Sequence, residues 1–214
     1  LYALNNAFTN LETLWETTSG GFFHPLQKLD LQGNNLVDLG PDNLQAGNLD
    51  DETLCNQVEY FCRNPNYNKM HNRDMGLNNP YLKELNEIVE EQSQIILNGM
   101  TSYPLRVSLQ EVWGNHNLNV CITTPHSHRN SFLSAVYYPK STDGRIQFYS
   151  PFTDAILSHV PVIADKYHEF NSSQYTVYPK TGWLILFPAN LLHVVLPSKE
   201  ERHSIVYDIG VKLN

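Results

Sequence analysis

The sequence predicts a mainly β protein in which helices come first and a sandwich or jelly roll of short strands follows. After residue 100, short runs rich in Val, Ile, Tyr, Phe and Trp are separated by Pro, Gly, Asn and Ser, a pattern typical of all-β folds. Before residue 100, two segments carry apolar residues at helical spacing. We therefore expect helices packed on the outside of a sheet.

The predicted strands are short and closely spaced. They are 106–113, 132–138, 145–149, 174–178, 182–187, 193–196 and 204–211. The clearest helix opens at Pro80, with Asn79 as its cap, and stops near Asn98 and Gly99. A shorter helix, capped by Asp50 or Asp51, ends at 64–66.

The organisation is interpreted as one structural domain with two parts. Residues 1–100 form a helical and loop-rich part packed on the sheet, and 101–214 form the β core, because no Gly/Ser linker separates them. Residues 1–50 are rich in Asn, Gly and Leu and give no clear pattern. The stretch 26–36 fits a leucine-rich spacing, but without a second copy we treat the match as coincidence.

Length, composition and net charge limit the classes of function that the chain can have. The 214 residues, 41% of them hydrophobic, can build one domain with a real core. The net charge of −8 disfavours broad nucleic-acid binding, and no apolar run is long enough to span a bilayer. Residues 1–9 lack the features of a signal peptide. Three cysteines, Cys55, Cys62 and Cys121, fit buried small side chains in a reducing compartment.

Three histidines are candidates for a metal site. His126 and His128 precede a predicted strand, and residues two apart in an extended segment point to the same side. Both imidazoles could enter one cavity, together with His193 from a later strand. The competing interpretation is a pair of surface imidazoles beside a turn, so the motif depends on its context.

The sequence around these histidines resembles that of a known family. Residues 125–138 contain His-x-His followed by an apolar strand that ends in Tyr, and 182–188 form a Gly-started apolar strand that ends in Phe-Pro. His193 follows, and Arg202 comes nine positions later. Over about residues 105–213 the chain resembles the iron(II)- and 2-oxoglutarate-dependent oxygenases. The likeness is closest to a prolyl-hydroxylase-like group found in bacteria and phages.

The resemblance implies a double-stranded β-helix, a cupin-like jelly roll. It implies that His126, His128 and His193 hold Fe(II), and that Arg202, assisted by Tyr138 and Ser204, holds 2-oxoglutarate as cosubstrate. The implied activity is that of a dioxygenase that forms succinate and carbon dioxide and hydroxylates a small molecule or a peptide. No catalytic residue beyond the metal ligands is implied. We expect a cytoplasmic protein, of a bacterium or a phage-infected host, with no membrane partner.

The spacing fits the chemistry of an octahedral iron. A 2-oxo acid takes two positions and oxygen takes one, which leaves three for protein ligands on one face. One departure from the family is that His128 stands where the second ligand is usually Asp or Glu. Either His128 is a true ligand, or water fills that place or the site is inactive. Asp143 and Asp154 lack the strand spacing to replace it.

Two rival functions stay open. One is a non-catalytic jelly-roll module that binds metal, such as a phage accessory protein, and the other is a three-histidine enzyme that works without 2-oxoglutarate. The position of Arg202 argues against the second rival.

Several other residues receive ordinary interpretations. Only one of Tyr137 and Tyr138 can face the cavity, and Trp183 and Phe187 are expected in the core. His116, His159 and His168 have no ligand-like context, and His24 and His71 lie outside the resemblance. The Asn-rich segment 115–119 could line the cavity or form a loop.

Overall fold

The computed structural model describes residues 49–63, 74–118, 123–149 and 174–213. The expectations for residues 1–48 and for Cys121, Asp154, His71, His159 and His168 lie outside these residues. The described helices are α1 (Asp51–Arg63), a 3-10 turn (Pro80–Leu82) and α2 (Lys83–Met100). The strands are β1 (Leu105–Asn117), β2 (Leu133–Lys140), β3 (Arg145–Tyr149), β4 (Gln174–Val177), β5 (Trp183–Pro188), β6 (His193–Leu196) and β7 (Arg202–Leu213).

The strands form two antiparallel sheets. The large sheet has the order β1-β7-β2-β5 and the small sheet has the order β4-β3-β6. An isolated bridge between His126 and His193 adds the segment before β2 to the free side of β6. Strands that neighbour each other in the sheets are mostly distant in sequence, as in a jelly roll. The predicted class, mainly β with helices before the sheet, is confirmed.

Strand β2 shows how the layers are built. Ala135 and Tyr137 belong to the core between the large sheet and the helices, whereas Val136 and Tyr138 belong to the core between the two sheets. This alternation follows from the two-residue period of a strand. Burial on both faces makes β2 a central strand, and it fixes Tyr138 on the side of the small sheet.

The capping residues lie where the sequence predicts them, although a 3-10 turn starts at the predicted Pro80 and the α-helix itself begins at Lys83. The Asp50 carboxylate accepts from the Thr53 backbone N–H at 2.9 Å, and the Asn79 side chain accepts from Tyr81 N–H at 3.1 Å. Helix α2 continues to Met100, one residue beyond the predicted stop. Both helices share one apolar core with the large sheet. The division at residue 100 stays a prediction. In the described part of the chain, no helix is long and apolar enough to cross a membrane.

The predicted bounds are too short for β1 and β7. These two strands pair from Leu105 and Leu213 at one end to Asn117 and Arg202 at the other, with a bulge after Leu109. At the Asn117 end both strands carry polar residues on both faces, so the sequence there lacks the apolar alternation by which strands are predicted. The backbone ladder holds this end together regardless of side-chain polarity.

One of the hydrogen bonds between α1 and the sheet comes from a tyrosine hydroxyl. The Tyr137 hydroxyl donates to Asp51 Oδ1 at 2.6 Å. Burial raises the pKa of Asp51, and this hydrogen bond acts against the rise.

We expect Tyr137→Phe to lower the free energy of unfolding by about 1–2 kcal/mol, because a partly buried carboxylate loses its donor. Urea unfolding measures the loss. Tyr81→Phe, at an exposed tyrosine, is the matched control, and equal effects would contradict the assignment.

Candidate metal centre

Three imidazoles converge where the small sheet meets the segment before β2. His126 and His193 exchange two backbone hydrogen bonds of 2.9 Å, and their ring centroids lie 4.3 Å apart. His128 donates its backbone N–H to Ala189 O at 2.7 Å, and its ring lies 5.2 Å from that of His193 and parallel to it. One ligand atom from each of the three rings lies within 4.8 Å of the others. The distance is short enough for a single ion to bind all three.

The backbone selects the tautomer of two of these rings. His126 Nδ1 lies 2.8 Å from Thr124 O, and His193 Nδ1 lies 2.9 Å from Leu191 O. A carbonyl only accepts, so in the neutral ring Nδ1 carries the proton and Nε2 keeps its lone pair. Burial lowers the pKa of His193 to about 3 and also lowers the pKa of His126. Both rings are therefore neutral at pH 7, which is the ligating form.

His128 is held by different groups. Its ring stacks on Trp113 with centroids 5.6 Å apart, and its Nδ1 lies 2.7 Å from Asp208 Oδ1. The side chains of His128 and Asp208 are both largely buried. A carboxylate beside Nδ1 favours a proton there and leaves Nε2 for a metal. The structure thus groups His128 with the other two rings instead of turning it away.

Asp208 gives a direct test of this arrangement. We expect Asp208→Asn to weaken metal binding at the three-histidine centre by about 10- to 100-fold, the usual effect of losing an outer partner of a ligating histidine. Competition of Mn(II) against a chelating dye measures this affinity. Asp74→Asn, at an exposed aspartate, should leave it unchanged. Full affinity in Asp208→Asn would show that His128 does not depend on this carboxylate.

One cavity collects the residues that the sequence singles out. Its volume is about 90 Å³, which exceeds the space of one water several times and suits a small organic acid. Its lining includes all six predicted site residues, which are His126, His128, Tyr138, His193, Arg202 and Ser204. Val136, Ile146 and Val206 supply apolar walls between the two sheets.

Arg202 forms the cationic part of this cavity. The residue is only 2% exposed, and its Nη2 donates to Asn117 Oδ1 at 3.1 Å. A Cβ at Gly144 would lie 2.9 Å from Arg202 Cδ, so the glycine leaves room for the arginine stem. Burial raises the pKa of Tyr138 to about 12, although Arg202 lowers it. Tyr138 therefore stays protonated and can donate a hydrogen bond, as can Ser204 on the same strand face as Arg202.

The structure also resolves the open alternatives. Tyr138 faces the cavity and Tyr137 faces the helices. Trp183 and Phe187 belong to the core between the sheets, and the edge of Phe187 also packs on His193. In the Asn-rich segment, Asn115 and Asn117 are strand residues that line the cavity.

Asp208 is a residue of the centre that our sequence analysis missed. The signal was present, because Asp208 lies in strand β7 at the two-residue spacing that begins with Arg202 and Ser204. The same spacing would have placed its carboxylate on the cavity side of the sheet.

This jelly roll directs three imidazoles and a buried arginine into one cavity, an arrangement that can hold a divalent metal ion. Residues 111–208 match the family described as "Putative 2OG-Fe(II) oxygenase". The match runs from β1 into β7 and includes all six cavity residues named above. The match covers 98 of the 214 residues, and over them the chain is similar to this family.

Several solved protein structures are similar to the chain. A Pseudomonas putida prolyl-4-hydroxylase shares 15% identity at a TM-score of 0.49, over 75% of this chain and 79% of that one. A 2OG-Fe(II) oxygenase family oxidoreductase from Burkholderia pseudomallei shares 15% identity at a TM-score of 0.45. That similarity covers 63% of this chain, and the chain spans 60% of the Burkholderia protein. HygX from Streptomyces hygroscopicus, with nickel and 2-oxoglutarate bound, shares 12% identity at a TM-score of 0.41, over 61% and 65%. Among curated proteins, none matches the chain.

Proposed function

We propose that the chain is an Fe(II)- and 2-oxoglutarate-dependent dioxygenase. In this proposal His126, His128 and His193 hold the iron, and Arg202, Tyr138 and Ser204 hold the cosubstrate. The observation that carries it is one cavity in which three imidazoles lie with a buried guanidinium. The family match over residues 111–208 supports the same function.

The three-histidine donor set fits Fe(II). Imidazole nitrogens suit divalent iron, and three protein ligands on one face leave positions for a chelating oxo acid and for oxygen. The usual carboxylate ligand would bring a negative charge that His128 lacks. Asp208, 2.7 Å from His128 Nδ1, keeps one negative charge next to the centre. Having His128 in place of the usual Asp or Glu therefore removes a carboxylate from the metal ligands, but the Asp208 carboxylate lies directly beside the His128 ring.

The cosubstrate end of the cavity fits a dicarboxylate. A dianion in a buried site needs a fixed cation, and a guanidinium can hold a carboxylate through two parallel hydrogen bonds. Arg202 offers that cation, and the protonated Tyr138 and Ser204 add neutral donors. The apolar residues around them restrict water, which strengthens each of these contacts.

The residues divide the work between binding and orientation. When bound, Fe(II) would supply the activation of oxygen coupled to decarboxylation of 2-oxoglutarate to succinate and carbon dioxide, with hydroxylation of a substrate. The protein's own side chains orient the oxo acid, keep the ligating nitrogens unprotonated and exclude water. We also propose that the substrate is a small molecule or a peptide, because the net charge of −8 disfavours nucleic acid, and that the protein is cytoplasmic.

The deciding experiment is turnover of the purified chain with Fe(II), oxygen and 2-oxoglutarate. We expect succinate to form only when the oxo acid and the metal are both present, and mass spectrometry measures it. Metal binding without 2-oxoglutarate binding would favour a non-catalytic module. Oxygen consumption without 2-oxoglutarate would favour a three-histidine enzyme that works without this cosubstrate. The three-histidine donor set is compatible with that candidate as well.

A further inference from the structure

A second group of metal-type ligands lies on the opposite face of the large sheet. Because strand residues alternate, Arg202 and Ser204 face the cavity, whereas His203 between them faces α1. His203 pairs across the ladder with His116 of β1, and the two rings stack at 4.3 Å and 16°. His203 is 1% exposed, and the His116 side chain is 5% exposed. Two buried imidazoles thus lie directly behind the cosubstrate end of the cavity.

Two carboxylates complete this group. Glu201 Oε1 lies 2.8 Å from His116 Nε2, and Glu59 Oε1, from helix α1, lies 3.2 Å from His203 Nε2. One ligand atom from each of the four residues lies within 4.8 Å of the others. Each glutamate therefore turns one oxygen toward an imidazole nitrogen that would be free to bind a metal if its proton moved to Nδ1.

The other oxygen of each glutamate contacts a basic side chain. Lys140 contacts Glu201 Oε2, and Arg63 contacts Glu59 Oε2. This arrangement has the form of a metal site, in which outer partners fix the orientation of the ligating carboxylates. His203 Nδ1 is buried and has no hydrogen-bond partner among the described residues, so the contact of Nε2 with Glu59 and the stacking on His116 hold the ring.

We propose that Glu59, His116, Glu201 and His203 form a second divalent-metal site, of the kind that binds zinc. Two imidazole nitrogens and two carboxylate oxygens make a four-coordinate set that suits Zn(II). Bonds of about 2.0–2.2 Å place tetrahedral ligands about 3.3–3.6 Å apart, so separations of up to 4.8 Å must contract by about 1.2–1.5 Å at most. The metal takes the Nε2 position that each shared proton held, and in each neutral ring that proton moves to Nδ1.

A metal here joins parts of the chain that are far apart in sequence. Glu59 belongs to α1, His116 to β1 and His203 to β7, and Glu201 precedes β7 directly. The ion would tie helix to sheet and fix the part of β7 that carries Arg202 and Ser204. The site is separate from the proposed iron centre, because none of its four ligands belongs to the three-histidine group.

Metal counting in variants tests this site. The chain is stripped with a chelator, loaded with Zn(II), passed over a desalting column and analysed for metal content. We expect two equivalents in the wild type, one in His193→Ala and one in Glu59→Gln/Glu201→Gln. Glu52→Gln, at an exposed glutamate on the same helix, should keep two. No zinc in His193→Ala, or two equivalents retained in Glu59→Gln/Glu201→Gln, would overturn the proposal and leave a metal-free network of ion pairs.

A second measurement guards against variants that fold poorly. In the His193→Ala background, Zn(II) should raise the melting temperature of the chain, and adding Glu59→Gln/Glu201→Gln should remove that rise. An equal rise in both proteins would contradict the site. The result is independent of the proposed oxygenase activity, since a chain without succinate formation could still bind zinc in the His193→Ala background.

Discussion

Replacing His193 with alanine is expected to abolish stoichiometric Fe(II) binding at the three-histidine centre and to reduce succinate formation to background. His193 is 3% exposed, and its ring lies next to both other imidazoles, at 4.3 and 5.2 Å. Its loss leaves two donors on one side of the cavity. Loss of an outer partner alone costs about 10- to 100-fold in metal affinity, and loss of a ligand should cost more. Iron content after desalting measures the change as one missing equivalent.

The controls for this variant come from the same part of the fold. Ser127→Ala lies between His126 and His128 but outside the cavity lining, so it should keep full iron content. Because His193 packs on Phe148 and Phe187, His193→Gln is a second variant that fills more of the space. An iron content equal to that of the wild type in folded His193→Ala would refute the assignment of the centre.

Replacing Arg202 with alanine should weaken 2-oxoglutarate binding by about two to three orders of magnitude while iron stays bound. Leaving one partner of a buried charge pair uncompensated costs roughly 3–5 kcal/mol. At about 1.4 kcal/mol per factor of ten, this cost corresponds to the expected loss. Arg202 is 2% exposed and lines the cavity without belonging to the metal-ligand group. Titration of 2-oxoglutarate into the Mn(II)-loaded protein measures the affinity.

A matched arginine separates this role from general charge. Arg106 is exposed on β1, so Arg106→Ala removes the same charge outside the cavity and should leave the affinity unchanged. Arg202→Lys should recover only part of it, because an ammonium lacks the planar fork. If Arg202→Ala and the wild type bound 2-oxoglutarate with equal affinity, Arg202 would be an ordinary strand residue with no part in cosubstrate binding. No 2-oxoglutarate binding to the wild type would favour the non-catalytic module.

The helices and most of the strands can be predicted from local sequence patterns. The bounds predicted for β3 and β6 are those observed, because both are short strands bounded by turn residues. The caps Asp50 and Asn79 also lie where predicted. The ends of β1 and β7 were missed, since backbone pairing there does not depend on apolar side chains.

For the candidate centre, spacing and resemblance together supplied the residues, and the structure supplied their environment. The two-residue separation of His126 and His128 predicts a shared side, and the nine-residue offset from His193 to Arg202 is part of the resemblance that implies a cosubstrate role for Arg202. The contact between His128 and Asp208 depends on how β7 lies beside β2, which no local pattern specifies.

By itself, the sequence predicted the strand-rich class and the caps Asp50 and Asn79 from periodicity and capping residues, and it singled out His126, His128 and His193 from a short spacing together with a family resemblance. Only the tertiary structure decided which polar residues meet across the sheet. His116, which had no ligand-like context in sequence, joins His203 because β1 and β7 pair in one register, and Glu59 reaches them because α1 packs its apolar side on that sheet. Register and helix packing are set by the burial of the whole apolar core, so residues far apart in the chain become neighbours that local patterns cannot reveal.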